Sequence, residues 1–555
     1  MGKPSFEASN AVIYVTYGAF LVLGTGIAWR MRGQSKGDFL AGNRTQSALP
    51  LTLNFIASAK SRVEQDRDEV SGKGDPVACA DTKLRLYPLG SGILFSYPQL
   101  ATLAGVQGVV IYALASALPL LIFAALGPII RRKCPEGFVL TEWTRQRYGV
   151  VAALYLSFMT MLTLFLYMVA ELSAVGQVVT ALTSLDGLPV IIVECVVTTV
   201  YTSLGGFKIS FLTDNIQGAM VLGLVLVATI TIGVKTKIDT SLIEPSGLTH
   251  ASLLGWQLLY ILPVAVLTND FFLSNFWLRT FASKTDRDLW IGAGSATVAI
   301  LVILTLVGST GLIATWSGAY DPVRDEDGSV AFFLLLEQLP SWVVGIVLVM
   351  VVALSTAAFD SLQSAMVSTA SNDLFRNRLG IWWIRGAVVL VIVPTVVLAL
   401  KAPSILQIYL ISDLISAATI PVLVIGLSRR AYWWRGFDVV CGGLGGILAV
   451  FIFGTIYYGS AKEGGKLILL ENGLYQGDWG AFGAFVAAPV GGLISGFLAC
   501  GLRIAFFYVR ARVTGRRFEA LDQPVETWQM EREEEDSAAE RVVEPGIGKG
   551  DGMFF

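Results

Sequence analysis

The chain has 555 residues, of which 54% are hydrophobic and 15% charged, and its mean hydropathy is +0.65. A soluble protein carries about a quarter charged residues, so this composition excludes a large soluble domain and indicates a membrane protein. The formal net charge of −2 gives no reason to expect a nucleic-acid partner, and the five scattered cysteines and single histidine lack the spacing of a disulfide scaffold or a zinc site.

Apolar runs long enough to cross a bilayer recur along most of the chain, since a crossing helix needs about 20 apolar residues. We predict thirteen spans, at about 11–29, 49–105 (interrupted), 108–130, 151–182, 188–204, 214–234, 254–278, 289–316, 341–370, 381–400, 404–427, 437–458 and 480–509. The first run is followed by basic residues rather than preceded by them, so we expect a spanning helix and not a cleavable signal peptide.

Basic residues are distributed unevenly between the segments that connect these spans. With the N-terminus outside, the cytoplasmic segments hold 27 Lys and Arg residues and the outer segments hold 7. Cytoplasmic segments of membrane proteins are enriched in Lys and Arg. We therefore predict an N-terminus outside and a C-terminus in the cytoplasm, with the plasma membrane as the expected location and the lipid bilayer as the surroundings of the spans.

The predicted second span is interrupted by a charged segment. Residues 49–59 and 89–105 are apolar, whereas the 29 residues 60–88 include 12 charged ones. Neither apolar flank crosses a bilayer comfortably alone, but joined they form one long helix with a Gly-Ser-Gly break. We favour the interpretation that 60–88 is a non-native insertion, such as translated intron sequence. A genuine cytoplasmic loop, with 49–59 re-entrant, is the alternative.

A motif follows the predicted fifth span: Tyr201-Thr-Ser-Leu-Gly-Gly-Phe-Lys-Ile-Ser-Phe-Leu-Thr-Asp-Asn-Ile-Gln-Gly218. It resembles the signature of the sodium:solute symporter family, Tyr-Thr-x-x-Gly-Gly followed by Thr-Asp-x-x-Gln. Ile209 departs from it, since a small residue is usual there. Weaker matches lie at 38–43, 276–288 and 368–375. Within the family, the resemblance is nearest to the fungal urea-type symporters.

The resemblance implies an all-α fold whose core is a 5+5 inverted repeat of the leucine-transporter type, formed by spans two to six and seven to eleven. The predicted division is 1–48 for the N-terminus, first helix and basic loop, 49–427 for the core, 428–517 for two peripheral helices and 518–555 for a disordered tail. The first helix of each repeat is expected to be broken near the bilayer midplane. The Gly-Ser-Gly segment fits this in span two. Pro263 fits it in span seven, with an ordinary kink as the alternative.

The resemblance also implies a sodium site between backbone carbonyls of span two and hydroxyls of span nine. Alignment on Asn54 assigns the carbonyls to Thr52 and Phe55. In span nine the family's hydroxyl pair falls on Ala357-Ala358, which cannot coordinate an ion through side chains. Ser355-Thr356 supplies the ligands only if the register slips by two residues, and otherwise sodium coupling is in doubt.

Carboxylates inside the predicted spans are the remaining site candidates, because a charge at membrane depth is costly and usually functional. Asp360 in span nine ranks first, either binding a cation or carrying a proton, with a structural Asp satisfied by neighbouring Ser and Gln as the alternative. Asp270 in span seven follows. Asp214 lies at the start of span six, where the resemblance implies an inner exit route and a helix-dipole charge is the alternative. The lower-ranked carboxylates are Glu171, Glu194 and Asp413.

These features predict a secondary active symporter that couples sodium or proton entry to the uptake of a small polar solute, with urea, a polyamine and an amino acid as candidates. No enzyme is expected, because no catalytic cluster is visible, and no cofactor beyond the coupling ion. A solute sensor of transporter fold without net transport is the alternative. A channel is disfavoured by the lack of a filter motif or charged ring.

Overall fold

The computed structural model describes residues 5–30, 92–133, 140–183, 185–273, 283–322, 328–373, 381–401, 405–471 and 478–515, with a few isolated positions besides. The predicted ligands Thr52, Asn54 and Phe55, the charged segment 60–88 and nearly all of the tail lie outside these residues. Within the described ranges the α-helices are α1 (Phe6–Arg30), α2 (Ile93–Ala117), α3 (Pro119–Lys133), α4 (Leu140–Tyr148), α5 (Val150–Thr183), α6 (Gly187–Lys235), α7 (Leu253–Phe272), α8 (Asp286–Trp316), α9 (Ala331–Glu337), α10 (Ser341–Asp373), α11 (Ile381–Ala399), α12 (Ile405–Val424), α13 (Gly436–Tyr458), α14 (Ala461–Ile468) and α15 (Gly480–Thr514).

The protein is an all-helical integral membrane protein. Ten helical segments in the described residues are long and apolar enough to cross a bilayer, and no β-strand occurs in those residues. Predicted spans six and ten are represented there by shorter apolar segments, Val225–Lys235 and Val389–Ala399. The described part of span two begins at Gly92. The all-α, polytopic class is thus confirmed, while the count of thirteen and the 5+5 repeat stay predictions.

Predicted spans five and six differ most from the structure. We expected a loop at 205–213, whereas α6 is one helical element from Gly187 to Lys235. The predicted loop contains no proline, and a glycine pair costs a helix only about 1 kcal/mol per residue, so backbone hydrogen bonding continues through it. Asp214 lies in this part of α6, and its side chain is outside the described residues.

Gly105 marks the boundary that the sequence predicts between spans two and three. Its backbone has φ +62° and ψ −153°, a conformation that favours glycine, and it kinks α2. A Cβ at Gly105 would lie 2.0 Å from the carbonyl oxygen of Leu248, which accepts a hydrogen bond from the backbone N–H of Val106 at 2.9 Å. The connection between α6 and α7 therefore lies directly on this kink, and only glycine permits the approach.

Connections predicted to lie on the same side of the membrane contact one another. At one end Arg147, which closes α4, donates to the carbonyl oxygen of Ala431 at 2.8 Å. At the other end the backbone N–H of Asp239 donates to the carbonyl oxygen of Trp316 at 2.9 Å. Both pairings join connections that the thirteen-span prediction places on one side of the membrane. The assignment of one end to the cytoplasm still depends on the basic residues.

Helices α13 and α15, the predicted peripheral pair, pack against each other and against α12 through small residues. A Cβ at Gly446 would lie 2.6 Å from the carbonyl oxygen of Ala488, and one at Gly492 would lie 2.7 Å from that of Ala418. Small residues let membrane helices approach closely enough for van der Waals contact to stabilise them. This packing supports α12, which carries part of the candidate site.

Candidate functional site

Two groups of buried polar side chains lie among the described helices. The first, here called the Glu194–Asp360 cluster, joins α1, α6 and α10. The second, the Asp270–Asp413 cluster, joins α5, α7 and α12. Both consist of carboxylates, hydroxyls and tyrosines within apolar helices, where polar groups are costly unless they have partners. No group of three or more His, Cys, Asp and Glu side chains suited to a metal ion occurs in the part of the chain that the structure describes.

Glu194 is fully buried on α6, with 0% of its surface exposed. Ser355 on α10 donates a hydrogen bond to Glu194 Oε1 at 2.6 Å, and Tyr17 on α1 donates to Oε2 at 3.2 Å. We ranked Glu194 below Asp360 from the sequence, where Tyr17 and Ser355 lie far from it along the chain. The only sequence signal was a single acidic residue in the otherwise apolar run 188–197.

Asp360 lies further along the same interface and is likewise 0% exposed. Tyr201 on α6 donates to its Oδ2 at 2.6 Å, and Ser361 donates to its Oδ1 at 3.2 Å. Tyr201 is the first residue of the motif noted above, so the motif contributes directly to this cluster. The pairs Glu194–Ser355 and Tyr201–Asp360 follow each other in the same order on both helices. Helices α6 and α10 therefore run parallel here, as spans five and nine should.

Ser355 and Thr356, the predicted sodium ligands of span nine, have different partners. Ser355 donates to Glu194, whereas the hydroxyl of Thr356 donates back to the carbonyl oxygen of Val352 at 2.6 Å. Their predicted counterparts in span two are outside the described residues. The four-ligand sodium site as a whole therefore stays a prediction.

Helix α7 ends beside α12 in the second cluster. We expected a break near Pro263, but α7 continues through it and ends at Phe272. A proline removes only one backbone hydrogen bond, which a membrane helix tolerates when neighbouring groups compensate. The polar residues 268–270 therefore form the last turn of the helix. The backbone N–H of Leu273 closes that turn on the carbonyl oxygens of Asn269 and Asp270.

Hydroxyl groups of α12 meet the last turn of α7. The side-chain oxygens of Thr268 and Ser416 are 3.1 Å apart, and Ser412 donates to Asn269 Oδ1 at 3.2 Å. Along α12 the polar residues recur at helical spacing, so they lie on one face. They are Tyr409, Ser412, Asp413 and Ser416. This polar stripe within an apolar helix is the signal in the sequence that indicates this part of the site.

These contacts between α7 and α12 place two carboxylates, Asp270 and Asp413, near each other. They are 8% and 6% exposed, respectively. Each is the chain neighbour of a residue in the contact between Asn269 and Ser412, and because both are acidic their charges repel each other. Asp413 Oδ1 has no hydrogen-bond partner among the described residues. The pair therefore has unused capacity to bind a cation.

Two tyrosines connect this pair to a third carboxylate, Glu171. Tyr409 donates to Glu171 Oε1 at 2.9 Å, and its ring centroid lies 4.9 Å from that of Tyr167. Asn269 donates to the hydroxyl of Tyr167. Gly92, the residue before α2, approaches the same group, since a Cβ there would lie 2.2 Å from the hydroxyl oxygen of Tyr409. The predicted Gly-Ser-Gly segment thus ends at this cluster.

A cavity of about 410 Å³ lies at the start of α12, lined by Gln407, Ile411, Leu469 and Glu471. Two of these residues, Gln407 and Ile411, are within two positions of Tyr409. The cavity lies at the end of α12 that contacts the segment before α15, since Gln407 donates to the carbonyl oxygen of Leu469.

Apolar crossing helices that enclose buried carboxylates define a polytopic membrane protein of transporter type. Solved structures share this fold. A Na+-coupled sialic acid symporter in a substrate-bound outward-open state is 16% identical and has a TM-score of 0.65, covering 89% of this chain and 97% of that one. Mhp1, a nucleobase-cation-symport-1 family transporter in a closed conformation, is 12% identical with a TM-score of 0.53, covering 84% and 95%.

Sequence comparison is more specific. The spermidine transporter DUR31 of Candida albicans is 52% identical over 528 residues, which cover 95% of each protein. The chain therefore belongs to the family of this fungal spermidine transporter, and it is a membrane transporter rather than an enzyme. The probable urea active transporter 1 of Schizosaccharomyces pombe is 29% identical over 118 residues, or 21% of this chain and 18% of that protein.

The predicted resemblance is confirmed at this coarser level. Similarity to fungal spermidine and urea transporters agrees with the predicted general resemblance to fungal urea-type symporters. No family model matches the chain, so membership of the sodium:solute symporter family itself stays a prediction.

Proposed function

We propose that this protein is a secondary active symporter that couples the entry of a cation to the uptake of a polyamine of the spermidine type. The relative that is 52% identical along nearly its whole length is named a spermidine transporter, which favours a polyamine over the other candidates. Urea has weaker support, from a match over 118 residues. For an amino acid no comparison gives support.

The observation that carries the coupling is the Glu194–Asp360 cluster. Two carboxylates with no exposed surface lie on adjacent helices, each held by a tyrosine from another helix. Burial of a carboxylate is expensive, and an ion or proton that binds it offsets that cost. A cation bound between Glu194 and Asp360 would stabilise the packing of α1, α6 and α10. Its release would loosen the same contacts, which is the differential binding that transport requires.

The proposal also gives roles to the other site residues that were predicted from the sequence. Ser355 orients Glu194, and Thr356 would join it as a ligand if the register slips. Thr52 and Phe55 would offer backbone carbonyls, aligned through Asn54, and Asp214 would lie on the exit route. Sodium and a proton remain the two candidates for the coupling ion.

Uptake measurements test the proposal directly. Cells that express the chain without residues 60–88 are given radiolabelled spermidine, urea and a panel of amino acids, with external sodium and pH varied separately. We expect spermidine to accumulate against its gradient and to do so only with a gradient of one cation. Accumulation that ignores both gradients would exclude symport.

Asp360→Asn distinguishes transport from sensing. The variant is expected to bind spermidine but not to accumulate it, because the coupling cation loses its carboxylate. The control is Asp239→Asn in the connection after α6, where hydrogen bonds from Ser241 hold the pKa of the Asp239 carboxyl below its usual range. It should accumulate normally. Wild-type binding without any accumulation would favour the sensor, and normal accumulation by Asp360→Asn would refute the coupling site.

A further inference from the structure

The carboxylates Asp270 and Asp413 lack a positive partner on the helices that hold them. Helices α2, α5, α7 and α12 carry no Lys, Arg or His along their described lengths. Both side chains are more than nine-tenths buried, and their negative charges repel each other. Such a pair is stable only if a cation or a proton lies between the two carboxylates. The oxygen of Asp413 that no described donor reaches is one position where such a cation can bind.

The end of α7 strengthens the attraction for positive charge. The carbonyl groups of a helix's last turn give its C-terminal end a partial negative charge. In α7 that turn contains Asp270 itself, and it is buried, since Phe271 and Phe272 are almost entirely covered. In transporters, the C-terminal ends of discontinuous helices are recurrent binding places for cations.

Tyrosine rings supply surfaces that suit an organic cation. Tyr97 and Tyr112 on α2 stack at 3.9 Å, and both are within electrostatic range of Asp413. Tyr167 and Tyr409 pack beside the same cluster. Aromatic faces attract ammonium groups and also pack against methylene chains. A bare sodium ion gains little from these rings, whereas an alkyl ammonium gains from both properties.

Glu171 provides a second negative position. It is separated from the first by the tyrosine pair, since Tyr409 bonds to Glu171 while Tyr167 bonds to Asn269. A linear molecule with ammonium groups joined by short methylene chains has this same alternation of charge and apolar surface. A neutral solute such as urea has no positive charge to pair with three buried carboxylates.

Building on the proposed function, we infer that the Asp270–Asp413 cluster is the polyamine site. One ammonium group binds between Asp270 and Asp413 at the end of α7, a second binds Glu171, and the methylenes between them lie against Tyr167 and Tyr409. Coupling cations bind elsewhere, at the Glu194–Asp360 cluster.

Equilibrium binding to purified protein tests the site. Radiolabelled spermidine and its mono-acetylated derivative, which has one terminal ammonium fewer, are titrated at saturating sodium and fixed pH. Loss of a charge-assisted hydrogen bond should lower the spermidine affinity of Asp413→Asn by about ten- to a hundredfold. The affinity for the acetylated ligand should fall less, so the preference for spermidine shrinks. Glu171→Gln should behave in the same way. The control is Asp373→Asn, a buried carboxylate on α10 held by Thr141 and Ser157, which should keep the wild-type preference.

A measurement on the unmodified protein covers the case in which a variant fails to fold. An apolar carbodiimide that labels buried carboxyl groups is applied, and labelling of Asp413 is quantified by peptide mass spectrometry. Spermidine should slow the labelling several-fold, whereas urea and sodium should not. Protection by sodium alone would assign the cluster to the coupling ion and overturn the inference.

The outcomes separate this inference from the proposed function. Wild-type protein that binds spermidine, together with Asp413→Asn and Glu171→Gln variants of unchanged affinity and preference, would overturn the site only. Wild-type protein that binds no polyamine would overturn both.

Discussion

Replacing Ser355 with alanine removes the hydroxyl that donates to Glu194 Oε1 over 2.6 Å. Glu194 is fully buried, and Tyr17 is then left as the donor to its carboxylate, at the longer distance of 3.2 Å. Losing one hydrogen bond to a buried charged group costs about 1.5–3 kcal/mol. If Glu194 helps to hold the coupling cation, that cost corresponds to a rise of about ten- to a hundredfold in the cation concentration that half-saturates uptake.

Thr356→Val is the matched comparison. The substitution keeps the side-chain shape and removes only the hydroxyl, which bonds to the carbonyl oxygen of Val352 one turn earlier. That carbonyl can retain its helical N–H partner, so we expect a change of less than about twofold. The assay is spermidine uptake against external sodium at several pH values, with expression checked at the cell surface. Equal damage from the two variants would mean that the hydroxyls act as a ligand pair, and the reasoning from Glu194 would fail.

Three further predictions concern topology, gene structure and stability. Epitope tags at the N-terminus and at residue 325 should be reached from outside intact cells and a C-terminal tag should not; an accessible C-terminal tag would contradict the orientation. Transcript sequencing should show a spliced message that lacks codons 60–88. Transcripts that all keep these codons, together with transport by the full-length protein, would contradict the insertion. Arg503→Met leaves buried Asp438 without the guanidinium at 2.8 Å, which should cost about 3–5 kcal/mol and lower the melting temperature of the purified protein. The exposed Arg512→Met should change it little, and equal melting temperatures would refute the argument.

The extent of several helices could be predicted from the sequence alone. Predicted spans 289–316 and 437–458 correspond to helices Asp286–Trp316 and Gly436–Tyr458, which begin within three residues of the predicted starts. The physical reason is the bilayer, which requires about 20 consecutive apolar residues of any crossing helix and so makes hydropathy alone informative. The hydropathy pattern also predicted the boundary between spans two and three at Gly105.

The sequence also identified all five acidic residues of the two clusters, because a carboxylate in an apolar run is conspicuous without any knowledge of the fold. It placed Glu194 and Asp413 below Asp360 and Asp270, whereas the structure places one of the lower-ranked pair in each cluster. A residue's rank depends on its partners, and Ser355 lies 161 positions from Glu194 while Ser412 lies 143 positions from Asn269. Periodicity describes one helix at a time and contains no information about such pairs.

Only the tertiary structure decided where helices end and which polar faces meet. Helix α7 continues through Pro263, and it ends where Leu273 closes the last turn beside α12. Helix α6 continues through 205–213, which we predicted as a loop between two spans. Local propensities at such points differ by about 1–3 kcal/mol per residue, less than the packing of whole helices contributes, so the packing decides.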